Sequence, residues 1–273
     1  MTGVIAVCAA AVAAVGACRS TWSPCGLSML ASITPLAEHA RGHRYRSTAA
    51  WFVVGATMGG ASLGLCLAAL AAGVAAVGAS GVTLVVIASG AAVVAAVADA
   101  RIAGFRLPVH RRQVNEQWLD RFRPWVYGAG FGWQIGTGLA TYIKTSAVYL
   151  MVVLAALTAE PWVALSIGVL FGLVRGLAVL FGRGITSGTA LAEFHRRFTA
   201  IGPVMAGVVV TVDVAAAVVL ALLVSPWLAL VLAAAAGAGA WWALRSRRRP
   251  VPADARRRRP ATRPGDSRSA RTA

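Results

Sequence analysis

Residues 22–27 read Trp-Ser-Pro-Cys-Gly-Leu and lie inside a long apolar run near the N-terminus. Proline lacks a backbone N–H and its ring clashes with the preceding turn, so Pro24 kinks or breaks a helix. In hydrocarbon the freed carbonyl needs a new partner, and such breaks occur where protein or a water-filled cavity covers them. A thiol beside the break is reachable in a way that a thiol in an intact lipid-facing helix is not. Cys25, next to Pro24, is therefore the candidate for thiol chemistry. Cys8, Cys18 and Cys66 each fit small apolar packing. A disulfide needs Cα atoms within about 7 Å. Cys18 lies roughly 10 Å from Cys25 along an intact helix, a distance that a break at Pro24 shortens. Cys66 would reach Cys25 across a helix interface. Both are candidate partners.

A second set of residues offers polarity instead of sulfur. Thr137, Thr141 and Thr145 recur at i, i+4, i+8 and make one polar stripe, with Gln134, Tyr142 and Lys144 nearby. Lys144, Arg175 and Asp213 all fall within apolar stretches. Charges inside a membrane are expensive and face a cavity or one another. Two readings fit: Asp213 pairs with Lys144 or Arg175 to fix a bundle, or these residues and the Pro24 break line a substrate, ion or proton pathway. Arg19 would then belong to the outer mouth of that pathway. The histidines do not add a metal site. His39 and His43 are i, i+4 beside Glu38 but lack a third ligand, and His110 and His195 fall in other basic loops. The sequence calls for no cofactor. It contains no phosphate-binding glycine loop, nucleophile elbow or paired-carboxylate site.

The elements that must hold these residues are membrane helices. Of 273 residues, 58% are hydrophobic and 13% charged, with a mean hydropathy of +0.72. A soluble globular domain is about 45–50% apolar and about 25% charged. Seven spans fit, near 4–37 (broken at Pro24), 49–75, 81–103, 126–157, 162–182, 201–224 and 226–244. The first run would reach roughly 50 Å as one straight helix, against an apolar thickness of about 30 Å. A kinked or re-entrant span resolves this, as do two segments, 4–18 and 20–37. A cleaved leader is a third option, since Val15-Gly16-Ala17-Cys18 loosely resembles a lipoprotein cleavage site. No basic residue precedes the apolar run, which argues against it.

Basic residues orient the chain. Arg41, Arg44 and Arg46 follow span 1; Arg101, Arg106, Arg111, Arg112, Arg121 and Arg123 follow span 3; Arg183, Arg196 and Arg197 follow span 5. The connections near 76–81, 158–161 and 225 contain no Lys or Arg. The positive-inside rule then places the N-terminus outside the plasma membrane and the C-terminus in the cytoplasm. The tail from Arg245 carries Arg247 to Arg249 and Arg256 to Arg259. It reads as a disordered topology anchor that touches anionic lipid rather than nucleic acid.

The two halves echo each other. Trp22 and Trp51 match Trp133 and Trp162 at an offset of 111, and Gly55 and Gly59 match Gly168 and Gly172 at 113. With three spans per half, such halves would be inverted. The expected fold is an all-α polytopic bundle of about seven transmembrane helices, two inverted three-helix repeats plus a C-terminal helix. Residues 1–105 form the first half, 106–125 a basic loop, 126–244 the second half with the extra span, and 245–273 the tail. The stripes Gly55/Gly59, Gly60/Gly64 and Gly168/Gly172/Gly176 have the small-xxx-small spacing that lets helices approach closely.

The apolar run, the Ser23-Pro24-Cys25 motif with Leu27, the kinked start and the three-plus-three arrangement resemble the CcdA/DsbD family of transmembrane thiol–disulfide electron carriers. The likeness covers most of residues 4–224. In that family the Pro-adjacent Cys of the first span works with a Cys in the fourth, so the resemblance implies that Cys25 is the first of such a pair. The fourth span here, Gly132-Trp133-Gln134-Ile135-Gly136-Thr137-Gly138, has no Cys, and Ser28 stands where the commoner motif has a second Pro. The resemblance implies a carrier of reducing equivalents to an extracytoplasmic thioredoxin-like protein. The residues themselves also fit a small-solute or ion transporter that uses Thr137, Thr141, Lys144, Thr145, Arg175 and Asp213. A non-catalytic assembly factor is a third reading.

Overall fold

The structure is a computed structural model that describes residues 1–105, 107, 122–138, 143 and 145–247, with side chains as far as 239. Thr141, Tyr142, Lys144, His110, the Arg residues 106, 111, 112 and 121, and the tail beyond 247 lie outside the described residues.

Alanine and valine, with no proline and no charge before Arg19, carry α1 over Thr2–Ser20. Its 19 residues rise about 28 Å, enough to cross a bilayer alone. The chain then turns at residues 21–23 and restarts as α2, Pro24–Ser32. Pro24 occupies the first turn, where a missing N–H costs nothing, and the Ser23 hydroxyl accepts from the Gly26 N–H at 3.2 Å. Thr34 caps a third piece in the same way, α3 over Pro35–Ala40. The run expected as one span broken at Pro24 is thus three helices with two stops.

The helices that follow are α4, Tyr45–Val77, and α5, Gly81–Asp99. The expected fourth span is α6, Pro124–Gly136, and α7, Ala147–Leu157, separated by a second break. Then come α8, Pro161–Leu177, continued as a 3-10 turn through Gly184, α9, Gly188–Leu222, and α10, Pro226–Arg247. Five helices are long and apolar enough to cross a membrane, among them α8 taken with its 3-10 extension. Ala147–Leu157 and Pro226–Gly239 are apolar but shorter. The protein is therefore an all-α, multi-pass membrane helix bundle. Among the described residues five helices, rather than seven, are long and apolar enough to span, because the expected fourth span is divided into α6 and α7.

Residues Met1–Ala233 form one compact unit; the described part of the other, from Ala234, is the C-terminal part of α10. Within the first unit, α4 is the central post and packs most extensively on α8 and α6. A Cβ on Gly60 would collide with the Gly168 carbonyl, and one on Gly136 with the Ala56 carbonyl. Such approaches give van der Waals contact where lipid offers no hydrophobic drive.

The core is divided in two along α4. Toward the Met1 end, Leu63, Leu67 and Ala71 join Ile5, Ala9, Leu84, Leu154 and Ile167 in an aliphatic cluster. Toward the other end, Ala49 and Phe52 join Cys25, Met29, Leu30, Phe131, Ile135, Val179 and Phe198. The second cluster holds the aromatic rings, the thiol and, beside it, the buried charge.

Candidate functional site

Cys25 is the second residue of α2 and is 1% exposed. Its position is fixed from both sides of the turn. Trp22 lies face to face on Phe198 at 4.2 Å, and its indole N–H donates to the Phe198 carbonyl at 2.7 Å. On the far side of the thiol, the Gly26 backbone presses on Thr21 so closely that a Cβ would strike the Thr21 carbonyl. The fold at residues 21–26 therefore needs glycine at 26 as much as proline at 24.

One cation near this cluster is Arg175, in the last turn of α8. It is buried, lies over the Phe171 ring at 5.7 Å and stands within electrostatic reach of Cys25. Phe171 also meets the second break. Gly138, with φ +67°, lies against that ring, and a Cβ there would sit 2.7 Å from it. Both chain breaks therefore converge on one helix, through Arg175 and Phe171.

The second break closes on a different residue. Asp99, the last residue of α5, takes the Ser146 N–H at 2.8 Å and the Ala147 N–H at 3.4 Å, and the Thr145 hydroxyl donates to it. These are orphan donors at the start of α7, so a carboxylate from another helix performs the capping. Asp99 lies in turn within electrostatic reach of Arg19 and Asp213. Asp213 is fully buried in α9, and neither carboxylate oxygen has a hydrogen-bond partner among the described residues.

The residues expected from the sequence thus separate into two groups. Cys25 and Arg175 share one place; Thr145 and Asp213 share another, joined by Asp99. Thr137 donates to the Gln134 carbonyl at 2.8 Å at the end of α6. Thr141 and Lys144 lie outside the described residues. No disulfide joins Cys8, Cys18, Cys25 or Cys66. Cys66 is not brought to Cys25: it is exposed on α4, about 21 Å of helix rise beyond Phe52, which shares the Cys25 cluster. Cys18 is half-buried in the last turn of α1, before the break. Among the described residues no group of three or more His, Cys, Asp or Glu is placed to hold a metal ion.

Sequence reasoning missed Asp99 and Glu38. Glu38, on α3, is fully buried. It accepts from the Tyr127 hydroxyl at 2.8 Å and the Thr48 hydroxyl at 2.5 Å, and pairs with Arg41 at 3.1 Å. A signal existed: the chain has only nine Asp and Glu residues, so each one bordering an apolar run is informative.

The fold and the site define a multi-pass membrane bundle with a buried thiol beside a buried cation. Among curated proteins the chain is similar to the methylamine utilization protein MauF of Paracoccus denitrificans, 33% identical over 174 residues, 62% of this chain and 61% of that protein. It is also similar to the MauF proteins of Paracoccus versutus, 29% identical over 171 residues, 60% of each chain, and of Methylobacillus flagellatus, 28% over 210 residues, 72% of this chain and 70% of that one. The chain spans about three fifths of the length of the first of these relatives. No protein-family model and no solved structure matches it.

Proposed function

We propose that this chain is a membrane carrier of reducing equivalents in which Cys25 exchanges disulfides with an extracytoplasmic thioredoxin-like protein. The observation that carries the reading is the placement of the buried Cys25 at the first break, in the aromatic cluster with Met29, Phe131 and Phe198. The chemistry balances with one thiol on this chain. The Cys25 thiolate attacks the client disulfide, forming a mixed disulfide and releasing one client thiolate. A dithiol donor attacks the Cys25 sulfur and frees the second client thiol. Its own second thiol then resolves the remaining bond. The donor is oxidised to a disulfide, the client is reduced by two electrons, and Cys25 ends as it began. Because Cys25 is buried, each attack requires an opened state. The name of the relatives supplies the process that this exchange would serve, methylamine utilization.

The inverted repeat, with residues 1–105 against 126–244, belongs to the same proposal. It is supported by pairing of equivalent helices, α4 with α8 and α5 with α9, and by a break in both the first and fourth spans. The outside N-terminus rests on the arginine distribution. The test is acid-quench thiol trapping in native membranes. Cys25 shifts between reduced and mixed-disulfide forms when reductant supply is varied, and Cys25→Ser leaves folded protein with an oxidised client. A thiol that never changes state overturns the proposal.

The buried Asp213 favours a second reading, a small-solute or ion transporter using Thr137, Thr141, Lys144, Thr145, Arg175 and Asp213. On that reading Asp213→Ala and Lys144→Ala each abolish flux in folded protein, and unchanged flux in both would sink it.

A further inference from the structure

Glu38 stands at the meeting point of four helices. It belongs to α3; Thr48 is in the first turn of α4 and Tyr127 in the first turn of α6. Arg41, the residue that ends α3, pairs with Glu38 and donates to the Ser32 carbonyl at the end of α2 at 2.9 Å. Glu38, Thr48 and Tyr127 are all fully buried. The network lies against the Cys25 cluster, because Thr48 directly precedes Ala49 and Tyr127 lies one turn before Phe131. A buried carboxylate whose partners come from several helices holds them together as a unit. Losing one partner leaves the charge poorly compensated, so the arrangement is favoured whole or not at all.

We propose that the Glu38–Arg41–Thr48–Tyr127 network is the gate that closes the Cys25 site at the end of the bundle opposite Met1. Opening it parts the start of α4 and α6 from α3 and exposes the thiol to that side, the cytoplasmic one for an outside N-terminus, from which the dithiol donor attacks. The gate serves the thiol site proposed above and rests on that reading for its purpose. Its test uses Cys25 only as a probe, so the two can fail separately.

The experiment uses the full chain in membrane vesicles of both orientations, with Cys8, Cys18 and Cys66 replaced by Ala. An impermeant maleimide reports the labelling rate of Cys25. Tyr127→Phe combined with Thr48→Val removes both hydroxyl donors while keeping the ring and the bulk. Loss of hydrogen bonds to a charged group raises the labelling rate about tenfold or more, from the vesicle face carrying Glu38. An unchanged rate, or a rise from the opposite face, overturns the gate. Tyr127→Phe alone is read in the same way if the double variant does not fold, as judged by size-exclusion elution and thermal unfolding. A client whose redox state ignores Cys25→Ser sinks the carrier proposal and leaves the labelling result standing.

Discussion

The two chain breaks solve one physical problem by different means. Each must satisfy helix ends that hydrocarbon cannot solvate. The first break does so within its own sequence: Ser23 caps α2, Pro24 fills the position that needs no donor, and Gly26 lets the turn close on Thr21. The second draws its cap from Asp99, 46–48 residues away in another helix. The first is a local motif that survives wherever the chain is threaded. The second exists only when α5 and α7 have met, so it couples the two halves of the chain. The thiol sits at the self-sufficient break, and the buried Asp213 lies near the dependent one.

That contrast can be broken by substitution. The largest loss is expected for Gly26→Val, which drives a side chain into the Thr21 carbonyl. It should cost about 3 kcal/mol or more and sharply lower the yield of folded protein in detergent. Tolerance of valine there would show that the first turn is not as tight as described. Next comes Asp99→Ala, which strands buried donors at the start of α7 and should cost about 2–3 kcal/mol in thermal unfolding. It should also loosen the packing of α5 on α7, seen as faster hydrogen exchange in both helices. Ser23→Ala removes a single neutral cap and should cost only about 1 kcal/mol, with exchange changes confined to residues 21–28. If Asp99→Ala and Ser23→Ala gave equal losses and equally local exchange, the distinction between a local and a borrowed cap would be gone. Cys25→Ser puts a hydroxyl in an apolar cluster and should cost about 1–3 kcal/mol, a general loss of stability that does not bear on the two caps. Its specific effect should appear in client redox state, measured by thiol trapping.

Much of the first break was legible because its determinants are adjacent in the chain. Pro24 announced an interruption, although neither the Ser23 cap nor the second stop, at Ile33 and Thr34, was anticipated. The glycine stripes were legible too, since their spacing is the contact itself. The second break was hidden because its polar residues, Thr137 to Thr145, also fit a helical stripe, and its cap lies in a helix that sequence order keeps distant. Glu38 was read only as a neighbour of His39 and His43 in a basic loop. Nothing local indicates that α3 turns back to bury it beneath Tyr127. Arg175 was recognised as an intramembrane charge, but its neighbourhood with Cys25 was not.

The sequence by itself determined that this protein is a multi-pass helical membrane protein, that its first apolar run cannot be one helix, and that Cys25 sits at the interruption. These follow from composition and from proline chemistry, which act over a few residues. Only the tertiary structure decided which charges are neighbours: Arg175 beside Cys25, Asp99 at the head of α7, Glu38 under α4 and α6. In a bundle, charge is placed by the crossing of helices far apart in the chain, and the cost of leaving a buried polar group unpartnered selects among those crossings.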